Sequence, residues 1–283
     1  MLEIRPFDPS PEGLSEVAAL LAEMFPKATH VNAAYLDWSY NANPLGAALG
    51  YNAYAGDRLV AHFASQPMRA RIEGREDRGL LTQNAATLPE FMGKGLFTRL
   101  VERTMDAGAA AGFGFALALA NTNSLHAFVN KLDFQQAGAL DVKLGAGPTP
   151  PGDASVDLQF EPIWDEKSIA WRLARPGIRY QAKRRDDRCQ IYVPSGILGI
   201  SVEFAAFPAA LVPESLPALS TANPIRVWLG LDPTRAWSRT AYFDIPMRLR
   251  PAPLNFTIRD LSQRNRRFDG DRVRFQAIDF DGY

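Results

Sequence analysis

The sequence predicts an α+β protein with a mixed, mostly antiparallel central sheet flanked by helices, arranged as two similar halves in tandem. Three strand-like runs between residues 47 and 88 follow one another across short polar turns, which indicates an antiparallel meander. The wholly apolar run 113–120, "FGFALALA", predicts a strand buried on both faces, with a parallel neighbour. A helix, a tryptophan, a proline, a glycine and a strand recur in this order in "YLDWSYNANPLGAALGYNAYAG" and in "SIAWRLARPGIRYQAKRRD", which indicates an internal duplication.

The first half begins with the strand "LEIRPFD" and two helices, residues 15–25 and 32–40, whose apolar residues recur at helical spacing. The first two strands of the meander meet at Gly56 and Asp57, a short hairpin turn, and Pro89 closes the third. An amphipathic helix, the apolar strand, a helix that opens on asparagine and a returning strand complete this half.

Residues 145–155, "GAGPTPPGDAS", hold three prolines and three glycines and predict a linker. We therefore expect one domain over residues 1–144 and a second over 156–283. In the second domain the sequence predicts helices at "DEKSIAWRLA" and "PAALVPESLPALS". Its last run, "DRVRFQAIDFDGY", predicts a strand that continues to residue 283.

The composition is that of an ordinary globular protein, with 47% hydrophobic and 22% charged residues. The 31 basic and 31 acidic residues cancel, so charge gives no reason to expect binding to nucleic acid or to a membrane. We see no apolar run long enough for a membrane span and no secretion signal, and we expect a cytoplasmic protein. Cys189 is the only cysteine; we expect a small buried hydrophobe in a strand and no metal site.

The run "LPEFMGKGLFTRL", residues 88–100, places Gly93 and Gly95 where a strand gives way to a helix. Such a turn gathers unpaired backbone N–H groups at the positive end of a helix dipole, which is a site for phosphate. The spacing alone also fits a plain strand-to-helix turn, because neither GxxxxGK[ST] nor GxGxxG is present.

The segment "LTQNAATLPEFMGKGLFTRLVERTMDAGAAAGFGFALALANTNSLHAFVNKLDF" resembles the acyl-CoA-binding core of the GNAT acyltransferase superfamily. "LPEFMGKGLF" stands where that superfamily has proline and then Gln/Arg-x-x-Gly-x-Gly/Ala, and "NTNSLHAFVNKLDF" stands where it has an Asn-led helix ending in Gly-Phe. The resemblance covers residues 1–144. The Trp and Asn-Pro segment before the meander resembles a subgroup with a second, degenerate GNAT-like half, which would be residues 156–283.

The resemblance implies acetyl-CoA or another acyl-CoA as co-substrate. Backbone amides at the glycine turn would hold the pyrophosphate, a strand edge would pair with the pantetheine arm, and two asparagines would bond the arm or cap the following helix. The fourth and fifth strands would splay apart, with the thioester between Ala86 and Leu119. The implied cofactor residues are Ala86, Thr87, Leu88, Met92, Gly93, Lys94, Gly95, Leu96, Phe97, Asn121 and Asn123.

The sequence departs from the superfamily pattern at its catalytic positions. Asn84 occupies the place of an acidic base, and Val129 the place of the tyrosine that protonates the thiolate. Glu90 replaces the usual Gln or Arg beside the pyrophosphate, and Asp133 replaces a glycine.

Three residues are therefore candidates for the missing proton transfer. Asn84 could hold a water that relays the proton, and His126 could shuttle it from the neighbouring helix. Some relatives with a second half use a terminal carboxylate, which the resemblance would place at Tyr283. The alternatives without a catalytic role are a surface position for His126 and a frayed terminus at Tyr283, and we expect His62 to have a structural role.

The resemblance implies transfer of an acetyl or other short acyl group to an amine of a small-molecule acceptor. Because both usual catalytic groups are absent, a non-catalytic acyl-CoA-binding or sensing protein is the alternative, and a structural partner in an assembly is a third. The oligomeric state stays open.

Overall fold

The computed structural model describes residues 2–220, 222–250 and 253–280. Its strands are, in chain order, β1 (Leu2–Pro6), β2 (Leu49–Ala55), β3 (Arg58–Ile72), β4 (Arg75–Thr87), β5 (Phe115–Ala120), β6 (Gln135–Ala139), β7 (Asp141–Ala146), β8 (Phe160–Pro162), β9 (Gln181–Arg185), β10 (Arg188–Pro194), β11 (Ile200–Pro208), β12 (Ile225–Leu231), β13 (Tyr242–Asp244), β14 (Asn255–Asp260) and β15 (Phe275–Gln276). Its α-helices are α1 (Pro11–Met24), α2 (Ala33–Tyr40), α3 (Leu96–Ala110), α4 (Thr122–Lys131) and α5 (Glu166–Leu173).

Side-chain caps set where four of these helices begin. The caps are Ser10 before α1, Asn32 before α2, Asn121 before α4 and Asp165 before α5, and each accepts a hydrogen bond from a backbone N–H of the first turn. Helix α3 differs, because its N-cap Gly95 has a left-handed backbone and no side chain to accept such a bond. The first turn of α3 is therefore left uncapped.

The first sheet has the strand order β1-β2-β3-β4-β5-β14-β6, and β8 pairs with β3. Its β1 to β4 portion is antiparallel, as the meander predicts, and the β2–β3 hairpin turns at Gly56 and Asp57. Strand β5 is parallel to β4, as its continuous apolar sequence predicts. The predicted α+β class with a mixed, mostly antiparallel sheet is confirmed.

The second sheet has the order β13-β7-β12-β11-β10-β9, with β15 beside β12. It repeats the pattern of the first sheet: an antiparallel meander, one parallel pair (β11 with β12), and then an inserted antiparallel strand. The inserted strands are exchanged. Strand β7 enters the second sheet between β12 and β13, and β14 enters the first between β5 and β6.

This exchange means that each sheet is completed by the other half of the chain. Residues 255–260 lie in the sheet built mostly from residues 1–144, and residues 141–146 lie in the sheet built mostly from the later part of the chain. The boundaries drawn at 144 and 156 remain a prediction from composition.

Two predicted elements are wrong. The segment 208–220 forms a single 3-10 turn, Ala209–Leu211, because Pro208, Pro213 and Pro217 remove the N–H groups that a helix needs. Of the predicted strand from 271 onward, the described part up to residue 280 contains β15 alone, followed by the 3-10 turn Ala277–Asp279, and residues 281–283 lie outside the described residues.

The buried Asp279 ends that strand. Its carboxylate accepts the N–H of Gln276 at 2.6 Å and the indole N–H of Trp164 at 2.6 Å, so the chain turns into a local cap where a ladder would continue.

Cys189 is buried in β10, as predicted. Among the described residues, no helix has the length and apolarity that crossing a bilayer requires.

Candidate functional site

The parallel pairing of β4 and β5 stops early and opens a cleft. Only Gly79–Leu81 and Phe115–Leu117 are in register, and beyond them the two strands separate. On its other side β4 carries a bulge, since Phe63 pairs with Ala85 but Ser65 pairs with Thr82. The resulting cleft has a volume of about 700 Å³.

The glycine turn forms one wall of this cleft. Gly93 and Gly95 have φ angles of 73° and 70°, a left-handed backbone that glycine adopts without strain. A Cβ added at either position would meet no atom within 4 Å, so the backbone is open to a ligand. Within the described residues, the six backbone N–H groups from Gly93 to Thr98 donate no hydrogen bond. These groups at the start of a 15-residue helix are chemically suited to a pyrophosphate.

Two of the predicted backbone contacts do not fit, because their N–H groups are already used. Met92 donates its N–H to the carbonyl of Pro89 at 3.1 Å. Leu88 donates its N–H to the carbonyl of Val60 at 2.9 Å, and its side chain is fully buried. Ala86 and Thr87 both line the cleft. Backbone groups alternate along an antiparallel strand, so Ala86, two residues from Leu88 and paired with His62, also points its N–H toward β3, and Thr87 offers its backbone to the gap.

The asparagine pair at the start of α4 acts first as a helix cap. The side-chain oxygen of Asn121 accepts the N–H groups of Asn123 at 3.0 Å and of Ser124 at 3.1 Å. Both asparagines are exposed and line the cleft, and the cap uses the side chain of Asn121 but only the backbone N–H of Asn123.

The structure gathers most of the predicted site into this one cleft. The predicted residues that line it are Asn84, Ala86, Thr87, Met92, Gly93, Gly95, Leu96, Phe97, Asn121 and Asn123.

Three predicted residues are not brought together with these, and a fourth is not among the described residues. Leu88 is buried behind the strand, and Lys94 places Nζ 4.8 Å from the ring centre of Phe91. His126 is exposed on α4 and is not among the lining residues. Tyr283 lies outside the described residues.

Glu90 does not face the cleft. Its carboxylate pairs with the guanidinium of Arg58 at 2.9 Å, and both side chains are about half exposed. This pairing partly neutralises the charge that the sequence places beside the glycine turn.

Asn84 sits in the bulge of β4 and connects the cleft to a buried polar cluster. Its side-chain Nδ2 donates to the hydroxyl of Tyr40 at 3.3 Å, and that hydroxyl lies 2.9 Å from Nε2 of His62. Complete burial lowers the pKa of His62 to about 3, so its ring is neutral at pH 7.

Several lining residues were not predicted from the sequence. They are Met24, Phe25, Thr82, Gln83, Thr98, Ser124, Lys131, Leu254 and Phe280. Leu254 and Phe280 come from the last 30 residues, which reach this cleft because β14 is inserted beside β5. Within the described part of the chain, Lys131 is the one acidic or basic side chain in the lining.

No model of a protein family matches the chain, and no curated protein matches it either. Solved structures do resemble it. A probable N-acyltransferase from Enterococcus faecalis V583 superposes with a TM-score of 0.63 at 10% identity, over 93% of this chain and 73% of the other. A GCN5-related N-acetyltransferase from Kribbella flavida superposes with a TM-score of 0.62 at 12% identity, over 92% of this chain and 72% of the other. Eis1 from Mycobacterium abscessus superposes with a TM-score of 0.60 at 14% identity, over 93% of this chain and 74% of the other.

These likenesses cover both sheets and show that the chain has the fold of the GCN5-related N-acetyltransferases. At such identities they establish the fold alone.

Proposed function

We propose that this protein is an acyl-CoA-dependent N-acyltransferase that moves an acetyl or other short acyl group to an amine of a small molecule. One observation carries the proposal. The backbone N–H groups from Gly93 to Thr98 donate no hydrogen bond within the described residues, and they lie at the start of a long helix. This turn borders the cleft between the separated strands β4 and β5. The names of the similar structures support the same reaction class.

Each wall of the cleft has a distinct task in this proposal. The amides from Gly93 to Thr98 bind the pyrophosphate of coenzyme A. The backbone of Thr87 offers the free edge of β4 to the pantetheine arm, as a strand edge offers its backbone to a peptide, and Ala86 lines the cleft beside it. An acyl-CoA supplies an acyl group already activated as a thioester. The protein then has to position that group against an amine, which can supply a large part of the rate enhancement.

Residues 156–283 act, in this proposal, as a second GNAT-like domain that binds no cofactor and completes the acceptor side. The 3-10 turn at Ala209–Leu211 follows β11 where α3 follows β4 in the first half, so the described residues there offer no glycine turn and no long helix. Leu254 and Phe280 bring this part of the chain into the cleft. Ligands commonly bind in clefts between such units.

The alternative is a protein that binds acyl-CoA without turnover. The lining supports it, because the described cleft holds no carboxylate and no histidine that could accept a proton from an amine. Asn84 cannot serve as a base. In a transferase the amine would bind in its neutral form, and the proton that it loses on acylation would pass to the leaving thiolate through water or through a group outside the described residues, for which the Tyr283 carboxylate stays the candidate.

Release of free thiol from acetyl-CoA, measured with a panel of primary amines, separates these possibilities. Amine-dependent thiol release supports the transferase. Binding of acetyl-CoA without release for any amine supports the sensing alternative, and absence of binding contradicts both.

A further inference from the structure

A chain of hydrogen bonds crosses the core of the first half from the surface of α1 to the bulge of β4. Its six members are, in order, Glu16, Tyr54, Asn52, His62, Tyr40 and Asn84. The four middle members are at most 4% exposed, Glu16 is half-buried, and Asn84 lines the cleft. A buried polar chain of this length is costly unless each bond is made in the correct direction.

The direction is fixed from the Glu16 end. An ionised carboxylate only accepts, so the Tyr54 hydroxyl donates to Glu16 at 2.7 Å. The Tyr54 oxygen then accepts from Nδ2 of Asn52 at 3.2 Å. With its Nδ2 used in this way, Asn52 turns its Oδ1 toward Nδ1 of His62, 2.7 Å away.

This contact selects the tautomer of His62. An amide oxygen only accepts, so Nδ1 carries the proton, and the neutral ring leaves Nε2 as an acceptor. The Tyr40 hydroxyl donates to that nitrogen at 2.9 Å, and its oxygen accepts the Nδ2 of Asn84 at 3.3 Å.

The last link determines which end of the Asn84 amide faces the cleft. Because Nδ2 is held by Tyr40, Oδ1 points away from that hydroxyl, and within the described residues it accepts no hydrogen bond. An amide oxygen at this point of the cleft is an acceptor for an N–H group.

We propose that Glu16, acting through Tyr54, Asn52, His62 and Tyr40, holds the Asn84 carbonyl oxygen toward the cleft, where it takes a hydrogen bond from the N–H of the acceptor amine. This role rests on the proposed function, and it makes these residues positioning residues for Asn84. A primary amine suits the site, because it can give one N–H to Asn84 and still direct its lone pair at the thioester. An acceptor nitrogen without any N–H loses this contact.

The first test is independent of catalysis. In the whole protein labelled with ¹⁵N at histidine, the spectrum of His62 should show a neutral ring protonated at Nδ1 from pH 7 down to pH 5, with His62→Gln identifying the signal. A ring protonated at Nε2, or doubly protonated at pH 7, would overturn the directed chain whether or not the protein binds acyl-CoA.

The second test measures the positioning role with three variants. Tyr40→Phe removes one hydroxyl from the chain and keeps the ring. Glu16→Gln replaces the acceptor that sets the direction with a group that can donate, and Glu12→Gln is its control, an exposed carboxylate on the same helix but outside the chain.

Tyr40→Phe and Glu16→Gln should each lower kcat/KM for the amine about tenfold, as loss of one buried hydrogen bond does, while Kd for coenzyme A and the turnover of Glu12→Gln stay within about twofold. Unchanged amine kinetics in Tyr40→Phe would overturn the role. Equal loss of coenzyme A binding in both chain variants would show that the chain only supports the core.

Discussion

Trp38 and Trp171 make the same contact with each other in both directions. The indole N–H of Trp38 donates to the backbone carbonyl of Trp171 at 2.8 Å, and the indole N–H of Trp171 donates to the carbonyl of Trp38 at 3.0 Å. The rings stack with centroids 5.0 Å apart and planes 17° apart. Such reciprocity is characteristic of two units related by a twofold axis. Together with the repeated strand order, it supports the proposal of tandem halves.

This symmetry predicts equal and coupled effects of substitution. Trp38→Phe and Trp171→Phe each remove one indole hydrogen bond and leave a carbonyl in a part-buried place, so each should lower the free energy of unfolding by about 1–3 kcal/mol. The double variant should lose less than the sum, by about 0.5–1.5 kcal/mol, because the stacking is shared. Urea unfolding of the four proteins measures both quantities. Strictly additive losses, or very unequal single losses, would argue against the symmetric pair.

The buried His62 predicts a pH-dependent stability. Burial lowers the pKa of this group to about 3 from an ordinary value of 6.5. The unfolded chain therefore binds a proton that the folded chain refuses between these values, and the contribution of His62 to stability is lost as the pH falls below 6.5. The loss should be about 1.4 kcal/mol per pH unit, or about 2 kcal/mol at pH 5.

Asp279 acts in the opposite direction in part of the same range. Burial raises its pKa to about 6 from 3.8, so its contribution falls as the pH rises from 3.8 to 6. The free energy of unfolding of the wild type should therefore change little between pH 4 and 6. The effect of His62 is measured as the difference in this free energy between the wild type and His62→Gln. The free energy of unfolding of the wild type, minus that of His62→Gln, should increase as the pH rises from 4 to 6.5. A difference that does not vary with pH would contradict the buried, neutral ring.

Asp133 predicts a backbone effect. This exposed residue has a φ of 56°, at the position where the resemblance expects glycine. Asp tolerates this backbone better than alanine, and glycine adopts it freely. Asp133→Ala should unfold about 1 kcal/mol more easily than Asp133→Gly, which should be at least as stable as the wild type. If the alanine variant is the more stable of the two in urea, the left-handed backbone is wrong.

The local features of this protein could be predicted from sequence, because turns and helix starts depend on adjacent residues. The hairpin at Gly56, the turn at Gly93 and Gly95 and the cap at Asn121 all carry their own chemistry. The correspondence of Trp38 and Trp171 is likewise visible in the sequence, because each tryptophan is followed by a proline, a glycine and a strand-like run in the same order.

The long-range features could not be predicted. Strand β14 pairs with β5 across 135 residues, and nothing in its composition distinguishes that partner from a strand of the second sheet. Glu16 and Asn84 are ordinary polar residues until the fold places four hydrogen-bonding side chains between them. The bulge in β4 also depends on pairing, so the lining residues Thr82 and Gln83 gave no sequence signal.

The glycine turn before α3 is proposed to bind the pyrophosphate of coenzyme A, and calorimetric titration of coenzyme A into the wild type and two variants decides whether it does. Gly95→Asp places a carboxylate beside the backbone N–H groups that are proposed to bind the pyrophosphate, and Gly112→Asp makes the same change at the other end of α3. Gly112 also has a left-handed φ, 81°, and no atom within 4 Å of an added Cβ, so the backbone cost is matched. We expect one coenzyme A bound per wild-type chain, retained binding in Gly112→Asp, and affinity reduced at least about a hundredfold in Gly95→Asp, because like charges placed in contact repel each other strongly. Equal binding by the two variants, or no binding by the wild type, would contradict it.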